Sequence, residues 1–291
     1  MSSYALPGAL LVLAVALAGC KSERPDTKAA PAAEPAAAPA APATPARITV
    51  TATDFKFDLP AQVPAGAVTL HLINRGKELH QAQIIRLEDG KTIDDFAKAM
   101  KQSGPPPSWV KFVGGPNGIA PEQEGNSTTA LTPGHYALLC FIPGADGVPH
   151  VMKGMIQPFE VTAATGASAE LPAAGDTVKL ADYSFKESQP FTSGRHTILV
   201  QNIGPQPHEL VLLRLSPGKS VAQFGKWAEE GMKGPPPAMP LGGVGFIENG
   251  ASGVFTVDLT PGDYGFICFV PDIKDGKPHL AHGMIKQFKV G

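Results

Sequence analysis

At 291 residues the chain is long enough for two domains of ordinary size, each with its own core. A formal net charge of −2 and a pI near 6.4 exclude a general nucleic-acid or anionic-membrane surface, so no nucleic acid is expected as a partner. Thirty prolines and 32 glycines favour many short strands over long helices, and the three cysteines, one of them Cys20, leave a single thiol for each half and exclude an intradomain disulfide.

Taken in order, residues 1–20 read as a signal peptide. The apolar run over 5–19 is shorter than the ~20 residues that span a bilayer. Leu17-Ala-Gly-Cys20 resembles the lipobox of bacterial lipoproteins, although Met1–Tyr4 carries no Lys or Arg. That resemblance implies lipidation of Cys20, a lipid anchor there, and a periplasmic or cell-surface location. Lys21 stands where Asp retains enterobacterial lipoproteins in the inner membrane, which points to the outer membrane. Residues 21–46 are almost wholly Ala and Pro with a few charges, a composition that cannot bury apolar area. They are expected to form an extended spacer of about 3 Å per residue.

The remainder is a duplication. Adding 128 to a position in the first half finds the same residue type at Asp54/Asp182, Phe57/Phe185, Gly66/Gly194, Asn74/Asn202, Gly76/Gly204, His80/His208, Phe96/Phe224, Pro133/Pro261, Tyr136/Tyr264 and Cys140/Cys268. The register slips by one after the Cys, so His150 pairs with His279 and Met155 with Met284. Two copies are expected at 47–162 and 175–291, joined by a linker over 163–174.

Alternating apolar and polar residues predict strands at Ile48–Thr53, Val68–Ile73 and His196–Gln201. Ile84–Leu87 and Leu210–Leu215 read as buried strands, and Val254–Leu259 runs into a Thr-Pro-Gly turn. One helix interrupts each copy, beginning at Thr92 and at Ser220. Thr92 can cap its helix, with Asp94 and Asp95 at the positive end. The acidic pair therefore needs no catalytic explanation. A Pro-Pro-Pro loop follows each helix, ending at Trp109 and at Met239. The whole predicts an all-β protein: two tandem β-sandwiches, each with a short inserted helix.

Each copy offers four metal donors in the same order, His80, Cys140, His150 and Met155, then His208, Cys268, His279 and Met284. A lone strand Cys is ordinarily a buried apolar residue. Recurrence of a thiol, two imidazoles and a thioether in one order is the pattern of a soft-metal site, and two His, one Cys and a distant Met suit copper best. His71, His135, His196, His282 and Met152 lack counterparts and read as strand, loop or surface residues.

Pro-Gly-x-Tyr-x-x-x-Cys, then His-x4-Met, with an upstream Asn-x-Gly and His, resembles the cupredoxin family of plastocyanins, azurins and related blue copper proteins. The resemblance covers nearly all of both copies. It implies Greek-key sandwiches, one type 1 copper per copy held by the four residues named above, and one-electron exchange with redox protein partners. The Cys-to-His loops, with nine and ten intervening residues, and the inserted helices depart from the small blue copper proteins. Multicopper oxidases and copper nitrite reductases resemble tandem cupredoxins, but they relay electrons through histidines beside the Cys. Here Cys140 lies between Leu139 and Phe141, Cys268 lies between Ile267 and Phe269, and no His-x-His occurs. The expectation is an electron carrier and not an enzyme. Copper buffering or delivery without electron transfer is the alternative, and a metal-free interaction module a second one.

Overall fold

The computed structural model describes residues 43–102, 106–165 and 168–291, all within one compact unit. Cys20, its lipobox and most of the Ala/Pro segment lie outside the described residues.

The first copy contains β1 (Ala46–Thr53), β2 (Lys56–Asp58), β3 (Gln62–Pro64), β4 (Gly66–Asn74), β5 (Gln83–Leu87), α1 (Ile93–Ala99), β6 (Val110–Gly114), β7 (Glu124–Leu131), β8 (Gly134–Leu139) and β9 (Ile156–Thr162). The second contains β10 (Asp176–Ala181), β11 (Ser184–Glu187), β12 (Gly194–Asn202), β13 (His208–Leu215), α2 (Val221–Glu229), β14 (Ala238–Ile247), β15 (Ser252–Leu259), β16 (Gly262–Ile267) and β17 (Ile285–Val290). In the second copy β10 lies between β11 and β12 in one sheet, while β13 lies between β16 and β14 in the other. The chain therefore passes back and forth between two facing sheets, and non-consecutive strands become neighbours, as Greek-key connections require.

Period-two alternation builds two apolar layers in each copy. On β8 Leu138 faces the space between the sheets, as does Cys140 beyond its end. Ala137 and Leu139 face outward under the helix. Phe96 of α1 seals the outer face against Ile85 and Leu139, and Phe224 of α2 does the same over Val211, Leu213 and Ile267. Both helices start where side chains satisfy the first free backbone N–H groups. Thr92 and Asp95, and Ser220 and Gln223, each form a reciprocal capping box. The Tyr of each Thr-Pro-Gly-x-Tyr stretch fixes the corner before the Cys strand. Tyr136 Oη donates to the Thr132 carbonyl at 2.8 Å and Tyr264 Oη to the Thr260 carbonyl at 2.9 Å.

The copies are not beads on a string. Both sheets run through the junction, β15 pairing with β7 in an eight-stranded sheet and β14 with β6 in a nine-stranded one. Backbone bonds cross the seam, among them Gly245 N–H to the Gly115 carbonyl at 2.9 Å and Gly242 N–H to the Gly118 carbonyl at 3.1 Å, and two side-chain amides add to them by imitating a strand. Asn126 accepts from the Thr256 N–H and donates to its carbonyl, both at 2.9 Å. Gln83 accepts from the Phe246 N–H at 2.6 Å and donates to its carbonyl at 3.1 Å. Edges that would otherwise expose unpaired backbone groups are thereby consumed. No helix among the described residues is long and apolar enough to cross a membrane.

Candidate metal centre

The first His of each copy is placed by the Asn-x-Gly turn. Asn74 donates to the carbonyls of Glu78 and Ile119 at 2.8 and 3.1 Å and accepts from the Gly76 N–H at 2.9 Å, so one buried amide ties the loop at three points. Asn202 repeats this on Gln206, Ile247 and Gly204. The glycine is needed because the imidazole passes directly over it. A Cβ at Gly76 would lie 2.5 Å from His80 Nε2, and one at Gly204 would lie 2.7 Å from His208 Nε2. The His therefore belongs to the start of the following strand and not to the end of the preceding one. His80 bridges to Ile119 just before β5, and His208 opens β13.

The remaining candidate donors come from one strand-loop-strand unit. Cys140 follows β8, His150 opens a 3-10 turn over His150–Lys153, and Met155 leads into β9. Cys268, His279 and Met284 occupy the same places around β16, the turn His279–His282 and β17. Backbone bonds lock the loop: the Met155 N–H donates to the His150 carbonyl and the Met284 N–H to the His279 carbonyl, each at 3.0 Å.

In the first copy His80 Nδ1 and His150 Nδ1 are 3.2 Å apart, and Cys140 Sγ lies 3.4 Å from the second and 3.9 Å from the first. In the second copy the two Nδ1 atoms are 3.0 Å apart and Cys268 Sγ is 3.4 Å from His279 Nδ1. All three donors in each group lie within 4.8 Å of one another. A triangle of such sides has its centre about 2 Å from each corner, the length of a metal–imidazole bond. All six residues are fully buried, as are Met155 and Met284, which share the inner cores with Cys140 and Cys268. The donor types and their spacing fit a copper ion held by two imidazoles and a thiolate.

Burial sets the protonation of the groups. It pushes the Cys140 thiol up to about 12 and raises Cys268 well above the usual range, with the buried Glu209 carboxylate adding to the latter. Burial also lowers His80 and His208, against the pull of Asp54 and Asp182. His279 falls to about 4, first from burial and then from its neighbour His208. These imidazoles are neutral near pH 7 and ready to ligate, whereas the thiols hold their protons until a cation displaces them.

A ring of partners missed in the sequence orients the ligands. Asp54 Oδ1 is 3.3 Å from His80 Nε2 and Asp182 Oδ1 is 2.9 Å from His208 Nε2, fixing the first imidazole of each site from behind. The signal was present, since an Asp recurs 26 residues before each first His. Next to it, Phe55 and Tyr183 hold φ of 65° and 62°, a left-handed backbone that bulky residues rarely adopt. Their rings lie edge-on against His150 and His279 at 5.1 and 5.5 Å. Glu78 Oε2 meets His150 Nε2 at 2.6 Å, and Asp272 faces His279 Nε2 from 3.9 Å. His71 and His196 are engaged elsewhere, with Glu124 and Asp176 on the faces of β4 and β12.

No family model and no curated protein matches the sequence. Solved structures do. The chain is similar to a dithionite-reduced auracyanin from Roseiflexus castenholzii (21% identity, 40% of this chain and 94% of that one, TM-score 0.30). It is also similar to auracyanin A, a "blue" copper protein from Chloroflexus aurantiacus (16% identity, 41% and 99%, TM-score 0.28). A blue copper oxidase from Nitrosomonas europaea matches over 85% of this chain and 86% of its own length at 14% identity, TM-score 0.26. The fold and site together define a two-copy all-β protein with one buried His–Cys–His group in each copy.

Proposed function

We propose that this protein carries single electrons between redox protein partners through two type 1 copper sites, held by His80, Cys140, His150 and Met155 and by His208, Cys268, His279 and Met284. The observation that carries the reading is the pair of buried His–Cys–His triangles, repeated in both copies with an aspartate, Asp54 or Asp182, behind the first imidazole. Copper bound to such a set supplies one-electron exchange with little change of geometry between its two oxidation states. The protein's own part is to keep that geometry fixed. Cys140 and Cys268 give up their protons on metal binding and provide the thiolates. Asp54, Asp182 and Glu78 hold the imidazoles in the tautomer that presents Nδ1. The inner cores exclude water. Complete burial of the donors favours a resident ion over one handed on to another protein.

The carrier reading, as opposed to an oxidase, rests on Leu139, Phe141, Ile267 and Phe269 standing where relay histidines would be needed. Tethering through Cys20 at the periplasmic or cell-surface face of a membrane, the outer one by Lys21, rests on the lipobox-like sequence. Copper titration of the whole chain, followed by visible absorption and electron paramagnetic resonance, tests the assignment. Two equivalents, an intense thiolate-to-copper band and narrow hyperfine splitting are expected. Stoichiometric copper without that band would leave a storage or delivery protein, and no stoichiometric copper would leave an interaction module.

A further inference from the structure

Glu209 follows His208 directly in the chain and is 2% exposed. Its Oε1 accepts from the Phe269 N–H at 2.9 Å, and Phe269 follows Cys268 directly. One side chain therefore braces the residue after the first imidazole against the residue after the thiol. The Glu209 N–H also faces the Cys268 sulfur, so a shift of this residue is felt at the candidate ligand itself.

The other carboxylate oxygen is held from the first copy. Oε2 accepts from Asn117 Nδ2 at 2.8 Å, and Asn117 is 1% exposed. The same nitrogen lies 3.3 Å from the carbonyls of Leu210 and Val244, while the amide oxygen accepts from the Gly118 N–H at 2.8 Å. The backbone beside Asn117 is fixed from both sides: Ile119 pairs with His80, and the Gly118 carbonyl accepts from Gly242 across the seam. A buried carboxylate oxygen without a donor is costly. Here it also has somewhere to turn, because Asn117 and Glu209 both line a cavity of about 980 Å³ between α1 and α2, walled by Phe141, Phe246 and Phe269. Loss of the Asn117 donor lets Oε2 swing toward that cavity and draws Oε1 off the Phe269 N–H.

The first copy receives no matching contact. Gln81 stands in the place of Glu209, and the counterpart of Asn117 on the second copy is Gly245, which has no side chain to reach back. A Cβ at Gly245 would lie 2.5 Å from Gln83 Oε1, so the seam itself keeps that position bare.

We propose, on the reading of His208 and Cys268 as copper ligands, that Asn117 is a positioning residue of the second site contributed by the first copy. It keeps the Glu209 brace closed, and the second site takes its full shape only against the first copy.

Hydrogen exchange in the metal-free whole chain tests the brace without copper. Asn117→Leu should speed exchange of the Phe269 N–H, followed by nuclear magnetic resonance, by about tenfold, the value of one hydrogen bond. Copper titration then uses Cys140→Ser, so that only the second site can fill, and Cys268→Ser, so that only the first can. Adding Asn117→Leu should weaken the second site by about 10–100-fold and leave the first within about twofold, which also shows that the variant folds. Asn117→Ala, which adds no bulk, should give the same pattern. Glu209→Met removes both acceptors, and Asn117→Leu added to it should move neither measurement further. Three results overturn the proposal: unchanged Phe269 exchange, equal weakening of both sites in both Asn117 variants, or losses that add in the double variant. Copper absent from both parent Cys variants would overturn the metal reading and this role together. Copper bound by the parents and unmoved by Asn117→Leu overturns this role alone.

Discussion

The two sites share their candidate ligands but not the group behind the second imidazole. In the first copy Glu78, from the loop before His80, reaches His150 Nε2 at 2.6 Å. In the second copy the matching residue is Gln206, and the carboxylate comes from the Cys-to-His loop instead. Asp272 accepts from Tyr183 Oη and Gln206 and stops 3.9 Å from His279 Nε2, which has no hydrogen bond among the described residues. Gly144 is the first-copy counterpart of Asp272. A Cβ there would press on Lys153 Nζ and lie 3.0 Å from Glu78 Oε2. The exchange is therefore correlated: Glu78 with Gly144, or Gln206 with Asp272, but not both carboxylates in one site. Farther out, Lys153 pairs with Asp146 at 2.7 Å over the Phe55 ring, where the second copy sets His282 against Asp275 at 3.2 Å beside Tyr183. Duplication kept what builds the metal geometry and varied what tunes it.

The largest effect expected is loss of one site at a time. Cys140→Ser and Cys268→Ser should each reduce copper from two equivalents to one, measured by metal analysis after dialysis. Loss of both ions from either variant would mean that the copies do not fill independently. Proton release comes next. Because burial holds Cys140 up to about 12, binding displaces its proton, and apparent affinity should rise by about tenfold per pH unit between pH 6 and 8. A flat profile in competitive chelator titrations would sink the buried-thiol account.

Breaking the difference between the copies is a finer test. Glu78→Gln removes the carboxylate behind His150 and should weaken the first site by about 10–100-fold while sparing the second. Gly144→Asp alone places like charges together and is expected to cost about 1–3 kcal/mol in denaturant unfolding. Combined with Glu78→Gln it reproduces the second copy's arrangement, and most of that loss should return. Additive losses would show that the exchange is not correlated.

The smallest effect concerns His196, which has no counterpart in the first copy. Burial would lower its pKa, but Asp176 and the Thr192 carbonyl outweigh that and raise it above 6.5. A raised folded-state value stabilises fully below about pH 6.5 and is lost as pH climbs through the raised value. Asp176→Asn should abolish a pH-dependent contribution of about 0.5–1 kcal/mol, seen by comparing unfolding at pH 5.5 and 8.

Much of the site was legible because its signals are local or duplicated. Thr92 and Ser220 cap helices within three residues of themselves, Tyr136 and Tyr264 bond four residues back, and the His, Cys and Met donors recur in one order. Asp54 and Asp182 were visible only as matched positions. Their role needs the β1–β2 and β10–β11 turns to be brought against a residue 26 positions on. Glu78 and Asp272 carried no repeat signal, because each is present in one copy only. His150 and His279 each follow a proline in the Cys-to-His loop, yet both are fully buried behind these partners and the edge-on rings of Phe55 and Tyr183.

By itself the sequence determined the strand-rich class, the recurrence at a 128-residue spacing and the candidate donor set, since these follow from residue type and spacing along the chain. Tertiary structure alone decided that the copies merge into two continuous sheets, that Gln83 and Asn126 complete the seam, and that an aromatic cavity opens above it. The physical reason is that a side chain's partner across a sheet is set by strand register. Register depends on which edges meet, and no spacing along one chain encodes that meeting.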